Sequence, residues 1–302
     1  MNDANQKNCT SLKDNLKSYN FASASCVDAN IFVQNWKPVS NGHNLFFIDP
    51  HGYTQIDTGN LKRLFSSLNC DFLIFIPIYH IYRFLKPTGG KNVSVETDEG
   101  LLDGLCEETK KRKQVDPAVY YAPIAKFLSG LGINQDVAKQ ANTVEDFADM
   151  ISNALRTISG SEYVYCQMLE NKDKNSKYSL FFISHHILGA EKFLEAQSEL
   201  KNKTTTALDQ KSFDFVSPPD GGSITNFLSE EVPLDNVALY EKGIKCGILP
   251  SELNKQLSAL EKSGRITVID FYGQKRRGKV FYINNKYHKN GGDRRIVVTF
   301  RG

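Results

Sequence analysis

Two short apolar runs constrain this chain more than any other feature: Asn44-Leu45-Phe46-Phe47-Ile48 and Phe72-Leu73-Ile74-Phe75-Ile76. Continuous apolar stretches of this length, closed by turn residues, are the pattern of strands covered on both faces of a parallel sheet. Between them Leu61, Leu64, Phe65 and Leu68 recur at helical spacing. Strand, helix, strand in that order predicts a βαβ unit with a right-handed crossover. The first run closes abruptly on Asp49-Pro50-His51-Gly52, and the second is expected to extend from Asp71 to Tyr82.

The flanking pattern extends this α/β reading. A helix is expected around Thr10 to Tyr19, then a strand from Phe21 to Val27 ending at Asp28. Residues 86–160 interrupt the alternation and read as a helical insertion. Within it Asp116-Pro117 has the form of a helix start, acid as cap and proline at the first position. Thr143 with Asp146 opens another helix, carrying Phe147, Met150, Ile151 and Leu155 on one face. Tyr163 to Glu170 and Tyr178 to His185 flank a polar loop and predict a hairpin, followed by a helix over Ala190 to Leu200. Residues 201–231, with Thr204-Thr205-Thr206, Pro218-Pro219 and Gly221-Gly222, are expected to be a linker. The layout is thus an α/β domain over 1–200, the linker, and a second domain over 232–302.

Composition excludes several classes. Hydrophobic residues at 40% and charged residues at 24% exclude a disordered or collagen-like chain. No apolar run is long enough for a membrane-spanning helix. The six cysteines (Cys9, Cys26, Cys70, Cys106, Cys166, Cys246) form no CxxC pair and read as reduced thiols of a cytoplasmic protein. Charge is uneven: residues 232–302 carry 14 Lys and Arg against 6 Asp and Glu, whereas the whole chain has a net charge of only +3. A basic C-terminal segment on an otherwise acidic chain points that segment toward a polyanion.

Within that segment a helix is expected around Asp235 to Lys245, then a turn at Gly247, then a second helix capped by Ser251. The second helix bears Leu253, Leu257 and Leu260 on one face and ends at Gly264. Arg265 to Tyr272 and Val280 to Asn284 would form a hairpin around a loop holding Lys275, Arg276, Arg277 and Lys279. Helix, turn, helix and basic-tipped hairpin together resemble a winged helix. In that fold the second helix enters a major groove and the wing touches the backbone, so Lys255, Lys262, Lys275, Arg276, Arg277 and Lys279 are candidate nucleic-acid contacts. Winged helices also serve as protein-docking modules, which is the competing reading.

The N-terminal order (strand, Asp28, helix, strand, Asp49-Pro50, helix, strand, insertion, hairpin) resembles the second half of a Rossmann-like S-adenosylmethionine-dependent methyltransferase core. The stretch Leu45 to Gly52, the apolar strand ending near His80 and Arg83, the Tyr178 to Gly189 segment with Ser184-His185, and the winged-helix tail are similar to the three-Cys-motif partner proteins, a bacterial and phage-associated family. The resemblance implies an acidic cofactor contact at Asp28 and a substrate turn at Asp49, Pro50 and His51. It also implies a partner carrying three cysteines in a radical-enzyme-like fold. If active, such a chain would transfer a methyl group from S-adenosylmethionine to a nucleic-acid amine, with Asp49 as hydrogen-bond acceptor. The non-enzymatic alternative is a docking scaffold and nucleic-acid adaptor.

The departures are informative. The glycine-rich loop after the first strand of such cores, and the acid after the second, have no counterpart. The Asn44 to Ile48 strand then lacks a neighbour and exposes an apolar edge, a surface that pairs with other chains. Three arrangements accommodate this: missing strands encoded upstream, strands supplied by a second polypeptide, or Phe21 to Val27 sliding in beside Asn44 to Ile48. Gly52 also stands where amino-methyltransferases have an aromatic. A metal site of Asp49, His51 and His80 is geometrically open, against the reading of both histidines as structural. His185 and His186 cannot join it, because the antiparallel strand carries them to the opposite edge. No phosphate loop, nucleophile elbow or zinc-protease helix is present.

Overall fold

The computed structural model describes residues 2, 5–19, 22–37, 42–49, 57–85, 118–171, 176–204, 213–216, 224, 228, 233–276 and 278–301. They group into two compact units, Met1–Asp71 with Phe75–Gly160, and Phe72–Ile74 with Ser161–Gly302. The boundary therefore falls at Gly160, ahead of the expected hairpin and not within residues 201–231.

In the first unit, α1 (Gln6–Leu16) is capped by Asn5 and α2 (Ala29–Asn35) by Asp28. The strand expected over Phe21 to Val27 is corrected: among its described residues only Ser25 makes a bridge, to Asn2, and the segment joins no sheet. Sliding of this segment beside the next strand is thereby excluded. β1 (Asn44–Ile48) forms as expected, but its residues alternate between half-buried and exposed, with Leu45 and Phe47 each 63% exposed. α3 (Thr58–Phe65) buries Leu61, Leu64 and Phe65, and β2 (Cys70–Ile76) is nearly all buried. β2 stops at Ile76, short of the expected Tyr82: Pro77 cannot donate to a ladder, and its carbonyl accepts from Ile81 N at 3.3 Å to open α4 (Ile78–Leu85). Helical spacing then buries Ile78, Ile81, Phe84 and Leu85.

The described part of the insertion is helical, as expected: α5 (Ala118–Gly130), α6 (Gln135–Ala138) and α7 (Val144–Ser159). Asp116, Pro117 and the rest of 86–117 lie outside the described residues. α7 carries the predicted reciprocal cap. Thr143 Oγ1 accepts from Asp146 N at 3.0 Å, and Asp146 Oδ2 accepts from Thr143 N at 3.0 Å. Its buried stripe includes Phe147, Ile151 and Leu155. At Gly130 a Cβ would lie 2.2 Å from Thr58 Oγ1, so glycine permits the approach of α5 to α3.

In the second unit β3 (Tyr163–Asn171) and β4 (Ser176–Ser184) form the predicted hairpin, in register from Tyr163↔Ser184 to Asn171↔Ser176. α8 (Ile187–Thr204) follows, then β5 (Phe213–Val216), which pairs antiparallel with β3. Among the described residues the larger sheet has the order β1-β2-β4-β3-β5, which leaves β1 as an edge strand there. Next come β6 (Leu234–Asp235), α9 (Asn236–Lys245), α10 (Pro250–Lys262), β7 (Ile266–Asp270), α11 (Asn285–His288) and β8 (Ile296–Phe300). The smaller sheet is ordered β6-β8-β7, both pairs antiparallel.

The expected free linker over 201–231 is corrected by three features. α8 reaches Thr204, β5 lies inside the range, and Ile224 and Leu228 are buried in the same core as α9 and α10. That core also takes in Tyr163, Ala190 and Leu194. Polar ties reinforce it: Tyr240 Oη donates to Glu191 Oε2 at 2.7 Å, Tyr165 Oη to the Ile244 carbonyl at 2.5 Å, and Lys245 pairs with Glu162 at 2.7 Å. The C-terminal helices are thus one folded body with the hairpin and α8.

Candidate nucleic-acid interface

The helix pair is built as its sequence dictates. Asp235 Oδ1 accepts from the amides of Val237 and Ala238 at 3.0 and 2.8 Å, starting α9. At the far end Ile248 N donates to Gly243 O (2.8 Å) and Gly247 N to Ile244 O (2.9 Å), with Gly247 at φ +74°. These paired bonds close the helix and reverse the chain. α10 starts from Leu249 with Pro250 at its first position, so Ser251 is not the cap. A Cβ at Gly243 would lie 2.7 Å from Leu253 Cδ2, so the missing side chain lets α10 pack closely on α9. α10 buries Leu253, Leu257 and Leu260. Lys255 and Lys262 are exposed and seven residues apart, hence on one outward face.

The expected hairpin is only half present. β7 forms, but Val280 to Asn284 is not a strand; the partner of β7 is β8, from Ile266↔Phe300 to Asp270↔Ile296. The alternation that suggested a strand is real, since Phe281 and Ile283 are buried. The backbone is diverted by Asn236, a fully buried side chain. Its Nδ2 donates to Tyr282 O (3.3 Å) and Asp293 O (3.0 Å), and its Oδ1 accepts from Arg295 N (2.7 Å) and Ile296 N (3.4 Å). Tyr282 turns there with φ +57°. This four-bond knot was not legible in the sequence, where Asn236 is one asparagine among many.

The basic residues divide sharply. Lys275 and Lys279 are exposed on the loop after β7, and Lys262 on the last turn of α10; none has an acidic partner among the described residues. Lys255 lies 3.7 Å from Glu252. Arg276 is corrected: its side chain is 8% exposed, pairs with Glu261, stacks over Phe281 at 4.5 Å and donates to Val280 O. It holds the loop to α10 and does not face solvent. Arg294 pairs with Asp235 and Arg295 with Asp293, at 2.7 and 2.8 Å. These three arginines are therefore internally paired. Arg277 lies outside the described residues.

Asp49 follows β1 and is exposed; Pro50 and His51 lie outside the described residues. Asp28 caps α2, its Oδ1 accepting from Asn30 N (2.9 Å) and Ile31 N (3.3 Å). The acid expected to contact a cofactor thus serves a helix end. His80 sits within α4 against Phe84 (4.8 Å), not at a strand end. No group of three His, Cys, Asp or Glu able to hold a metal occurs among the described residues. No helix of the described residues is long and apolar enough to cross a membrane.

One polar cluster escaped the sequence reading. His43 Nε2 lies 2.9 Å from Asp71 Oδ2, while Asp71 Oδ1 is buried without a hydrogen-bond partner among the described residues. Beside them burial pushes the Cys70 thiol pKa up, against a hydrogen bond with Asn44 that lowers it.

Comparison with family models, curated proteins and solved structures gives no match for this chain.

Proposed function

We propose that this chain is a nucleic-acid-binding adaptor of the winged-helix kind, in which α10 and the loop after β7 form one contact surface. The observation that carries it is the Arg276–Glu261 pair. It ties the loop to the last turn of α10, which brings Lys275 into the neighbourhood of Lys262, the residue after Glu261. Exposed lysines from two elements then share one face, an arrangement suited to successive phosphates. The strand order β6-β8-β7 with a loop between β7 and β8 supports the same reading.

The reading is also similar to the three-Cys-motif partner proteins in outline: an α/β sheet ending in a hairpin, a helical insertion, and a winged-helix tail. The edge position of β1 with exposed Leu45 and Phe47 supports a strand-pairing surface for a partner such as the three-cysteine protein.

The test is a salt titration of duplex DNA binding. Each neutralised phosphate contributes a slope of about 0.9 in the log-log plot. Replacing Lys262, Lys275 and Lys279 together by Ala is expected to reduce the slope by about 2 to 3. An unchanged slope moves the module to protein docking.

A further inference from the structure

We propose that Tyr272, at the tip of the loop after β7, is a stacking platform for an unpaired nucleobase, so that the module prefers forks or overhangs over fully paired duplex. This rests on the nucleic-acid reading above and adds the structural feature selected.

Asp270 Oδ1 accepts from Tyr272 N (3.0 Å) and Gln274 N (2.7 Å). Asp270 N donates to Gln274 O (2.8 Å), and Gly273 N to Asp270 O (3.1 Å), with Gly273 at φ +83°. Phe271 N donates to Arg295 O at 3.0 Å, and Lys275 bridges back to Ile269. Below the tip, Arg276 fixes the loop to Glu261 and Phe281.

The backbone of Tyr272 is thus pinned by its neighbours, yet the residue is 86% exposed. A turn of this kind is served by Asp270 and Gly273 and needs no aromatic residue between them. Burial gives no account of Tyr272 either. Phe271 stands edge-on to it at 6.0 Å, limiting the directions available to the ring.

The occupant follows from size and charge. A standard protein partner needs about 800 Å² per side, whereas one aromatic ring offers on the order of 200 Å². One face of one ring matches one base, and stacking of this kind tolerates any base. Lys275 and Lys279, exposed on the same loop, supply the charge that a flanking phosphate needs. Bases inside continuous duplex present no free face, so the partner must carry an unpaired one.

The test uses the full chain and two DNA probes of equal length, one blunt duplex and one fork with 2-aminopurine at the first unpaired position. Wild type is expected to bind the fork more tightly and to quench the 2-aminopurine emission. Tyr272→Ala should lose about tenfold in fork affinity and the quenching, with blunt-duplex affinity, salt slope and Tm unchanged. Tyr272→Phe should retain both. Equal wild-type affinity for the two probes overturns the stacking proposal while leaving the nucleic-acid reading intact. So does a Tyr272→Ala variant that matches wild type on the fork or weakens both probes alike. Binding of neither probe at about 50 mM salt overturns both.

Discussion

Arg276 separates structural charge from the charge proposed to contact phosphate, and replacing it by Ala is the most informative perturbation. In the folded state the guanidinium is 8% exposed, pairs with Glu261 and lies 4.5 Å from the Phe281 ring centroid. A hydrogen bond to a charged group contributes about 1.5 to 3 kcal/mol, and a mostly desolvated cation–π contact adds about 1 to 2. Glu261 is 34% exposed and regains water when its partner is removed, which offsets part of that loss. The net cost expected is about 2 to 3 kcal/mol, a fall in Tm of roughly 4 to 9 °C. Arg276→Lys should recover less than half of it, because an ammonium cannot both fork to the carboxylate and lie flat on the ring. Thermal unfolding and the salt slope of DNA binding are measured on the same preparations. Arg276→Ala should lower Tm and leave the slope unchanged. Lys275→Ala should do the reverse, with Tm constant and a slope reduced by about 0.9. An Arg276→Ala variant with wild-type Tm and a shallower slope would refute this reasoning, since the guanidinium would then face phosphate.

Removing the phenolic oxygen in Tyr240→Phe deprives buried Glu191 of its donor and should cost about 1.5 to 3 kcal/mol in urea unfolding; a cost below about 0.5 would mean water replaces it. Asn236→Ala frees four backbone bonds at the start of α9 and should cost 3 kcal/mol or more, as about 1 per bond, with hydrogen exchange accelerated at Arg295 and Ile296. Burial first, then the negative charges of Glu162 and Glu241, push the Tyr163 phenol up to about 12. Its contribution is complete below the unfolded value of about 10 and declines as pH rises from there to 12, where the unfolded chain releases its proton first. Tyr163→Phe should therefore flatten the alkaline decline in stability. It should not abolish it, because burial, followed by the hydrogen bond to Glu191, raises Tyr240 in the same direction.

The sequence was legible where a local signal and its partner lie within a few residues. The Thr143–Asp146 cap, the Gly247 and Gly264 helix ends, the hairpin of β3 and β4, and the apolar stripe of α10 all belong to this class. It misled where a long-range bond competes with a local pattern. Val280 to Asn284 alternates like a strand because Phe281 and Ile283 are buried, but Asn236 holds the Tyr282 carbonyl, and β8 takes the ladder. Among the described residues of Phe21 to Val27 pairing is limited to the single bridge from Ser25 to Asn2, and Asp28 is engaged by the helix it begins. Pro77 shows the converse, a single residue that ends β2 although the apolar run continues into α4.

Charge was the most readable feature of the candidate interface and the least reliable guide to its residues. A count of lysines and arginines weighs Arg276, Arg294 and Arg295 like Lys275 and Lys279, yet the three arginines each hold a carboxylate. The division has a physical basis. Guanidinium is weakly hydrated and forks onto a carboxylate, so arginines at a folded surface are readily drawn into intramolecular pairs; ammonium is strongly hydrated and stays in water. In this module Lys262, Lys275 and Lys279 are exposed without an acidic partner among the described residues, as are Arg265 and Arg301, while Arg276 shapes the loop that presents Lys275 and Lys279. A surface built this way keeps its geometry as salt rises, because the Arg276 contact is largely shielded from solvent. The lysine contacts weaken steeply under the same conditions. Stability and nucleic-acid affinity should accordingly respond to ionic strength independently of each other.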